Sequence, residues 1–347
     1  MQKLRFLLFP FSLVFICATE FRHLLFRIKL LKQKKFGVPV IVVGNLSTGG
    51  TGKSPMVDYL LKLLVRDGRP VSLSRGYGRK TKGFYEVSLN SSATDTGDEP
   101  LMLKSANPST GVFVDENRVR GIERILKTNA ATSCVILDDA FQHRYVKPSC
   151  AILLTQWSNP FYKDYVLPVG NLRELRKNAN RADIVIMTKC PALTDDQMDE
   201  AVADVERYSN AKVFFSRLEY GKPIGVFDNK TLEEKPDEIL LVTGIARAGF
   251  LLEYCKGLYS KVHHLEFSDH YVYKQSDFER IAENFNRFVA PKKAILTTHK
   301  DAVKWLGVVE SKAIKPFPVF YQPINIKIIG KEKEFNDLML KYARKAQ

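Results

Sequence analysis

Apolar residues in this chain follow two patterns, short unbroken runs and helical spacing, and the two patterns alternate. Unbroken runs occupy residues 38–43, 134–137, 151–154 and 184–187, and a shorter strand candidate lies at 71–73. A run without polar positions is typical of a strand buried on both faces of a parallel sheet. Helical spacing occurs between the runs, so residues 37–217 are predicted to form an α/β domain with a doubly wound, mostly parallel sheet.

The pattern changes after residue 217. Residues 218–228 contain Gly221, Pro223 and Gly225, which predicts a linker strand, and a polar stretch follows it. Runs at 239–242 and 294–296, with helical spacing at 249–256 and 275–288, predict a second, smaller α/β domain over residues 229–347. This domain is expected to include a return linker strand near 316–328 and a polar C-terminal helix. A length of 347 residues also favours two units.

The N-terminal segment 1–36 is the most apolar part of the chain. Residues 6–18 carry no charge and follow Lys3 and Arg5; apolar residues at helical spacing then continue among several basic residues up to Lys35. This pattern predicts a membrane-associated helix that suits an anionic surface. Thirteen residues fall short of the roughly 20 that span a bilayer, and Pro10 argues against one straight spanning helix. The segment has no obvious cleavage site, which argues against a cleaved signal peptide. The alternative is a helix that packs on its own domain.

The net charge of +15 requires an acidic counterpart. Nucleic acid, anionic lipid and a phosphorylated substrate all qualify, but no aromatic-basic RNA motif or helix-turn-helix signature is present, so no nucleic-acid partner is expected. The five cysteines form no CxxC pair. They are therefore expected to be reduced thiols and neither disulfides nor zinc ligands.

A glycine-rich loop joins the run 38–43 to a helix that starts near Pro55. In a P-loop, backbone N–H groups surround the phosphates, Lys neutralises the β- and γ-oxygens, and Ser or Thr holds Mg²⁺. Lys53 and Ser54 occupy those last two positions, although the strict pattern has Gly where this chain has Ser47. A glycine-rich turn before a helix is the alternative. The predicted nucleotide-binding residues are Ser47, Thr48, Gly49, Gly50, Thr51, Gly52, Lys53 and Ser54.

Two pairs of acids are candidates for the metal and the chemistry. Asp138 and Asp139 end the run 134–137, where a P-loop enzyme needs an acid on a neighbouring strand; capping of the next segment is the alternative. Asp98 and Glu99 precede them and, taken alone, would form a surface turn.

Histidine and arginine supply further candidates. His143 and His270 are possible bases or phosphate ligands, but a lone His is more often structural, and chemistry alone does not favour His270 over His263 or His264. Arginines beside glycines follow the strand 71–73, and Arg118 and Arg120 lie further along the chain. Such arginines suit phosphate recognition, whereas solvated surface charge is the alternative for each one.

Seven motifs together resemble the tetraacyldisaccharide 4′-kinases, the membrane-associated, ATP-dependent kinases of lipid A biosynthesis. They occur in the family's order over nearly the whole chain. The motifs are Val43-Gly44-Asn45-Leu46-Ser47 running into Gly49-Gly50-Thr51-Gly52-Lys53-Ser54-Pro55, Ser74-Arg75-Gly76-Tyr77-Gly78-Arg79, Gly97-Asp98-Glu99-Pro100, Asp138-Asp139-Ala140-Phe141-Gln142-His143, Leu167-Pro168-Val169-Gly170-Asn171-Leu172-Arg173-Glu174, Thr243-Gly244-Ile245-Ala246 and Phe267-Ser268-Asp269-His270-Tyr271.

The resemblance implies a role for each motif. Asp98 paired with His270 would take the proton from a sugar hydroxyl, with Lys53, Asp138 and Asp139 as further catalytic residues. Ser54, Glu99 and Asp138 would surround the magnesium ion. Ser47 becomes a family feature, and Ala140 and Ala248 are departures where the family often has Gly and Pro. The implied substrate-binding residues are Arg75, Tyr77, Arg79, Arg120, Gln142, His143, Arg173 and Glu174.

The implied activity is transfer of the γ-phosphate of ATP to the 4′-hydroxyl of an acylated glucosamine disaccharide 1-phosphate. The resemblance further implies a monomer at the cytoplasmic face of the bacterial inner membrane and a cleft between two domains that closes on the substrate. A membrane-associated P-loop ATPase of the assembly or partitioning type is the rival hypothesis. It leaves Asp98, Glu99 and the second domain without a task. Residues 188–189 and 298–301 are both candidates for adenine recognition.

Overall fold

A computed structural model of the chain describes residues 5–306 and 308–344. The outermost ends of the predicted segments 1–36 and 229–347, including Lys3, lie outside the described residues. The rest contains two sheets, each with its own buried apolar clusters.

The first sheet has nine strands. They are β1 (Val40–Asn45), β2 (Pro70–Ser74), β3 (Tyr85–Glu86), β4 (Gly111–Val114), β5 (Cys134–Asp138), β6 (Cys150–Gln156), β7 (Ile184–Thr188), β8 (Lys212–Tyr220) and, much later in the chain, β14 (Ile324–Ile328). Their spatial order is β14-β8-β7-β6-β1-β5-β2-β4-β3. All pairs are parallel except β3 with β4 and β14 with β8, so the mostly parallel sheet predicted from the unbroken runs is confirmed.

Helices cover both faces of this sheet. Strand β1 shows why, since Val40 and Val42 enter one apolar cluster while Ile41 and Val43 enter the other. Every position of β1 is therefore buried, as alternation of side chains across a sheet requires. The helices are α1 (Phe9–Arg27), α2 (Lys53–Leu64), α3 (Ala93–Thr96), α4 (Asp98–Ala106), α5 (Arg118–Thr128) and α6 (Asp195–Glu206), with 3-10 turns at Phe6–Leu8, Phe161–Lys163 and Arg176–Arg181.

The second sheet has five strands in the order β11-β10-β12-β13-β9. Its parallel core is flanked by helices, as the alternating pattern predicts. The strands are β9 (Ile224–Gly225), β10 (Glu238–Thr243), β11 (Lys261–Glu266), β12 (Lys293–Thr298) and β13 (Val319–Gln322), and the helices are α7 (Gly249–Leu258), α8 (Gln275–Asn286), α9 (His299–Leu306) and a 3-10 turn, Val309–Ala313.

The last part of the chain differs from the predicted domain 229–347. After β13 the chain returns to the first sheet, where β14 pairs antiparallel with β8. The following helix α10 (Glu332–Arg344) buries Phe335 and Met339 in the same cluster as Met56 of α2. The four-residue spacing of Phe335 and Met339 predicts an apolar helix face, but it carries no information on which sheet receives that face.

The N-terminal helix is continuous through Pro10 but ends before Lys35, up to which the sequence pattern indicated helical spacing. Pro10 does not interrupt it, because it lies in the first turn of α1, where a missing N–H costs little. The helix ends at Arg27, and Lys29 has φ 61°, so the basic residues after it lie outside the helix. Residues Phe6–Arg27 have a mean hydropathy of 1.4 and are long and apolar enough to cross a membrane, a test that a signal sequence also passes.

Candidate active site

The glycine-rich loop connects β1 to α2. Gly52 has φ 87°, a left-handed conformation that favours glycine, and α2 begins at Lys53. The Asn45 side-chain N–H donates to Thr51 Oγ1 (3.0 Å), and Lys53 Nζ lies 3.4 Å from Asn45 Oδ1. The loop therefore ends on the helix N-terminus, the geometry that binds phosphate.

The unusual position Ser47 has a structural partner. It forms a bridge with Leu172, and the neighbouring Thr48 N–H donates to the Asn171 carbonyl (2.8 Å). Neighbouring strand ends fix the other side of the loop: Gln156 Nε2 donates to the Gly50 carbonyl (2.6 Å) and Thr188 Oγ1 to the Thr51 carbonyl (2.9 Å). Neither contact was anticipated from the sequence.

Two acids follow β5 beside this loop. Asp138 is in register with Val43 of β1, and Gly44 permits the close approach of the next segment, because a Cβ there would lie 2.7 Å from the Phe141 backbone nitrogen. Asp139 (φ 46°) accepts from Arg173 Nη1 (3.0 Å) and lies 3.7 Å from Lys53 Nζ. The strand order thus brings both acids to the P-loop.

Asp138 is suited to a cation. It is 2% exposed, and its Oδ1 has no hydrogen-bond partner within the described part of the chain. Burial, followed by the charges of Glu99 and Asp139, raises the pKa of Asp138 to about 7, while Lys53 and Arg118 oppose this rise. A carboxylate in this position gains from a nearby positive charge.

The donor set fits Mg²⁺ better than a closed metal cage. Within residues 5–306 and 308–344, no group of three His, Cys, Asp or Glu side chains could hold a metal ion alone. Mg²⁺ in kinase sites is usually bound by one or two carboxylates together with substrate phosphates and waters. Asp138 and Glu99, which interact electrostatically, supply such a partial set, and Ser54 lies in the first turn of α2.

Asp98 and His270 meet across the two units. His270 Nδ1 lies 3.1 Å from Asp98 Oδ2, although 172 positions separate the two residues in sequence. His270 has φ 57°, and its ring lies 5.6 Å from that of Tyr77. Residues from both predicted domains thus form one side of the candidate site.

Two lysines complete this contact and were missed from the sequence. Lys300 Nζ lies 3.2 Å from His270 Nε2 and 3.2 Å from Asp269 Oδ1, while Lys304 Nζ lies 3.4 Å from Asp98 Oδ2. Lys300 belongs to the segment 298–301, so the signal was present but was interpreted as base recognition. Lysine donates only, which means that His270 Nε2 accepts and Nδ1–H faces Asp98.

The arginines predicted to bind the substrate differ in their exposure and in their ion pairs. Arg75 follows β2 and is exposed. The Arg79 side chain is only 4% exposed and pairs with Glu116 (2.6 Å), and Arg120 pairs with Asp115 (2.7 Å) as well as Glu116. Arg79 and Arg120 are thus engaged with acids in this conformation, while Tyr77 is 73% exposed.

Arg118 contacts the backbone at the end of β5, next to the two acids. It is buried, donates to the carbonyls of Asp115 (2.9 Å) and Asp138 (3.3 Å), and has a pKa lowered to about 10 by burial. His143 has a buried Nε2 without a partner among the described residues, and burial followed by the charges of Arg118 and Arg22 lowers its pKa to about 4. His143 is therefore neutral near pH 7.

Glu174 and Gln142 form a hydrogen-bonded pair that reaches the end of β1. Glu174 is 1% exposed and accepts from Gln142 Nε2 (2.8 Å) and Arg181 Nη2 (2.7 Å). Gln142 also donates to the Asn45 carbonyl (2.8 Å) at the end of β1. Glu174 thus contacts protein groups in this conformation, whereas its neighbour Arg173 reaches Asp139.

The two candidates for adenine recognition occupy different places. Thr188 lies against the P-loop, and Lys189 Nζ lies 5.5 Å from the Phe250 ring, with a pKa lowered to about 8 by burial and by Arg247. In the other segment, Asp301 is buried and accepts from Thr298 Oγ1 and from the Gly244 N–H.

The structure accommodates Ala140 and Ala248, the two departures from the family motifs. Ala140 is not among the described residues that have a positive φ, so the position does not require glycine. Ala248 has φ −75°, a value that proline also adopts.

Comparison with known proteins identifies the family of the chain. The family model described as tetraacyldisaccharide-1-P 4′-kinase matches residues 4–344. A tetraacyldisaccharide 4′-kinase of Flavobacterium johnsoniae is 38% identical over 347 residues, covering 99% of this chain and 98% of the relative. One from Bacteroides thetaiotaomicron is 39% identical over 353 residues, covering 97% and 93%.

A solved structure gives the same result. The crystal structure of LpxK from Aquifex aeolicus in complex with ATP matches with a TM-score of 0.75 and 31% identity, covering 98% of this chain and 99% of that chain. Sequence, fold and family model agree over nearly the whole length, and the resemblance noted in the sequence is confirmed. The chain therefore belongs to the tetraacyldisaccharide-1-P 4′-kinase family.

Proposed function

We propose that this chain transfers the γ-phosphate of ATP to the 4′-hydroxyl of a tetraacyl glucosamine disaccharide 1-phosphate, making lipid IVA. One observation carries the proposal beyond family membership. Asp98, paired with His270 of the second unit, directly precedes Glu99, whose charge raises the pKa of the buried Asp138 beside the P-loop. A candidate base and a candidate phosphate site therefore share one cleft.

In this proposal the P-loop backbone and Lys53 hold the ATP phosphates, and Asp138, Glu99 and Ser54 hold Mg²⁺. When bound, Mg²⁺ would neutralise charge on the phosphate oxygens. Lys53 would stabilise negative charge that develops as the phosphoryl group moves, which is the main source of catalysis in this reaction class. Asp139 would orient Lys53 and Arg173.

Asp98 acts as the base. Its Oδ2 is engaged by His270 and Lys304, so Oδ1 is the atom assigned to the acceptor hydroxyl. It takes the hydroxyl proton as the sugar oxygen bonds to the γ-phosphorus and the bond to the β-phosphate oxygen breaks, giving ADP and a phosphate monoester. His270 orients the carboxylate, since Lys300 occupies its other nitrogen.

The acceptor would contact groups at the cleft. The exposed Arg75 and Tyr77 are assigned to direct contact. So are His143, whose Nε2 has no partner among the described residues, and Arg173, which also pairs with Asp139. Arg79, Arg120, Gln142 and Glu174, which pair with other protein groups, would contribute by holding these elements in place. The adenine ring is assigned to the side of Lys189 and Phe250, because their neighbour Thr188 contacts the P-loop.

The lipid part of the acceptor suits the N-terminal side of the molecule. An apolar cavity of about 400 Å³ opens between α1 and residues 164–177, lined by Phe9, Ile16, Val166 and Tyr208 among others. Its wall includes Leu172, next to the Asn171 carbonyl that accepts from the P-loop. We assign acyl chains to this region.

The same helix is proposed to hold the enzyme, as a monomer, on the anionic cytoplasmic face of the bacterial inner membrane in a peripheral or monotopic arrangement. Large apolar side chains on α1 and its flanks are exposed, and basic residues follow the helix. Such a surface binds anionic bilayers through apolar burial and charge. The exposed apolar residues are Phe6, Leu7, Leu8, Phe9, Phe11, Leu13, Val14, Phe21, Leu24, Ile28 and Leu30.

A transfer assay tests the proposal. Full-length protein, ATP labelled at the γ-phosphate, Mg²⁺ and the lipid disaccharide are incubated, and the lipid is separated by thin-layer chromatography. Label should appear in the lipid, and Lys53→Met should abolish most of it. ATP hydrolysis that is indifferent to the lipid acceptor would instead support an ATPase of the assembly type.

A further inference from the structure

The buried side chains of the apolar helix α1 are Ser12, His23 and Phe26, and His23 is the titratable one. His23 is 3% exposed, whereas its neighbour Leu24 is 43% exposed. A buried imidazole needs polar partners, and both partners of His23 belong to the body of the first unit: Arg144 and Glu174.

The contact of His23 with Arg144 assigns the tautomer of the neutral ring. Arg144 Nη1 lies 2.7 Å from His23 Nδ1, and an arginine can only donate, so Nδ1 accepts and the proton resides on Nε2. Nε2 lies 2.7 Å from Glu174 Oε2, and this contact lowers the pKa of the Glu174 carboxyl.

Glu174 gathers charge and donors from several elements. It is 1% exposed, and this burial raises its pKa, but His23, Arg181 and Gln142 together lower the pKa below the ordinary value. Arg144, close to His23, adds a further positive charge. The carboxylate is therefore ionised in a place where a charge without partners would be costly.

The partners of Glu174 hold the loop that carries the acids. Gln142 bridges Glu174 and the Asn45 carbonyl, and Arg181 Nη1 donates to the Phe141 carbonyl (2.9 Å). Phe141 and Gln142 follow Asp138 and Asp139 within a few residues. A shift of Glu174 would therefore displace the two acids at the phosphate site.

We infer that His23 is a positioning residue that makes the N-terminal helix part of the kinase site. By orienting Glu174, His23 fixes the segment 138–142 against the end of β1. The helix then contributes to turnover in addition to membrane attachment. This inference rests on the proposed function, whose phosphate site it extends.

Three variants of the full chain separate this role from attachment. His23→Gln keeps an N–H donor at the position of Nε2, His23→Leu removes it, and Ala18→Ser changes an exposed residue on the same helix. His23→Leu should lower kcat by about 10- to 100-fold, as loss of an outer-shell partner does, with little change in KM for the lipid. His23→Gln should retain most of kcat, and Ala18→Ser should match the wild type.

Two further readouts exclude a merely structural effect. Flotation with vesicles of phosphatidylethanolamine and phosphatidylglycerol should show equal partition for all variants. The acid limb of the pH–rate profile should move to higher pH in His23→Leu, because a Glu174 that loses a stabilising partner protonates more readily. Binding of a fluorescent ATP analogue, which needs no lipid acceptor, should weaken in His23→Leu and persist in His23→Gln.

Several results would overturn the inference. Wild-type kcat and nucleotide affinity in His23→Leu would do so, as would an undiminished effect of His23→Leu in a Glu174→Gln background. If His23→Leu does not fold, as judged by thermal unfolding, His23→Asn replaces it, since the shorter amide reaches Arg144 but not Glu174. Failure of the wild type to phosphorylate the lipid would reject the proposed function, while nucleotide binding would still test His23.

Discussion

Asp98 and His270 should act as one unit, and a double-mutant cycle measures this directly. Asp98→Asn removes the base while keeping its shape, and His270→Gln removes the ring that contacts Asp98 at 3.1 Å. Loss of a general base costs about 10²–10⁴ in rate. Because His270 touches the carboxylate and not, in our proposal, the acceptor, its loss should cost less than the loss of Asp98.

The partial exposure of the pair limits the rate loss expected for each single mutant. The Asp98 side chain is 15% exposed and that of His270 38%, so water partly screens their interaction. We expect about 10³-fold for Asp98→Asn and about 10²-fold for His270→Gln. Independent residues would then give about 10⁵-fold in the double mutant, whereas a unit gives about 10³-fold, a coupling of about 2.7 kcal/mol.

The assay is single-turnover transfer of labelled phosphate to the lipid disaccharide at saturating ATP. Asp269→Asn is the matched control, since its carboxylate lies 3.8 Å from His270 Nε2 and outside the proposed proton path. This control should lose little rate. A double mutant that loses the product of the two single effects would refute the unit, and a severe loss in the control would shift the base to Asp269.

Three further outcomes are expected. Glu99→Gln should raise the Mg²⁺ concentration needed for half-maximal turnover, and an unchanged requirement in a Mg²⁺ titration would remove Glu99 from the metal site. Burial, followed by the charge of Lys62, lowers the pKa of His299 from 6.5 to about 4. The unfolded state therefore binds more protons between these pH values, and the free energy of unfolding should fall by at most roughly 3 kcal/mol as the pH drops through this window. In urea titrations His299→Phe should lack this pH dependence, and an identical dependence in the variant would contradict the prediction. Deletion of residues 1–30 should release the protein from anionic vesicles in flotation assays, and unchanged partition would show that the helix serves packing alone.

Local order along the chain predicts the phosphate side of the site well. The run that forms β1, the glycine loop and the helix that starts at Lys53 are adjacent in sequence, so strand, loop and helix follow from pattern alone. Asp138 follows from topology, because the carboxyl ends of parallel strands meet at one edge. It lies in register with Val43.

Long-range pairing was not predictable in the same way. His263 and His264 were equal to His270 in chemistry, yet they contact Glu238 and Thr243, and only family resemblance favoured His270. Sequence gives no measure of burial for Glu174. Its neighbours are brought together by elements distant in the chain, and such contacts depend on packing that no local pattern encodes.

The pairing of β8 with β14 has a topological consequence. The whole second sheet, from residue 221 to 323, is inserted between two adjacent antiparallel strands, and the Gly221 N–H donates to the Pro323 carbonyl (3.0 Å). Both chain crossings between the two units therefore lie side by side at one edge of the first sheet. Because Tyr220 and Ile324 are paired, a short hairpin turn that joins them could replace the inserted unit. The shortened protein would keep the phosphate-binding unit with Asp98 and would lose His270.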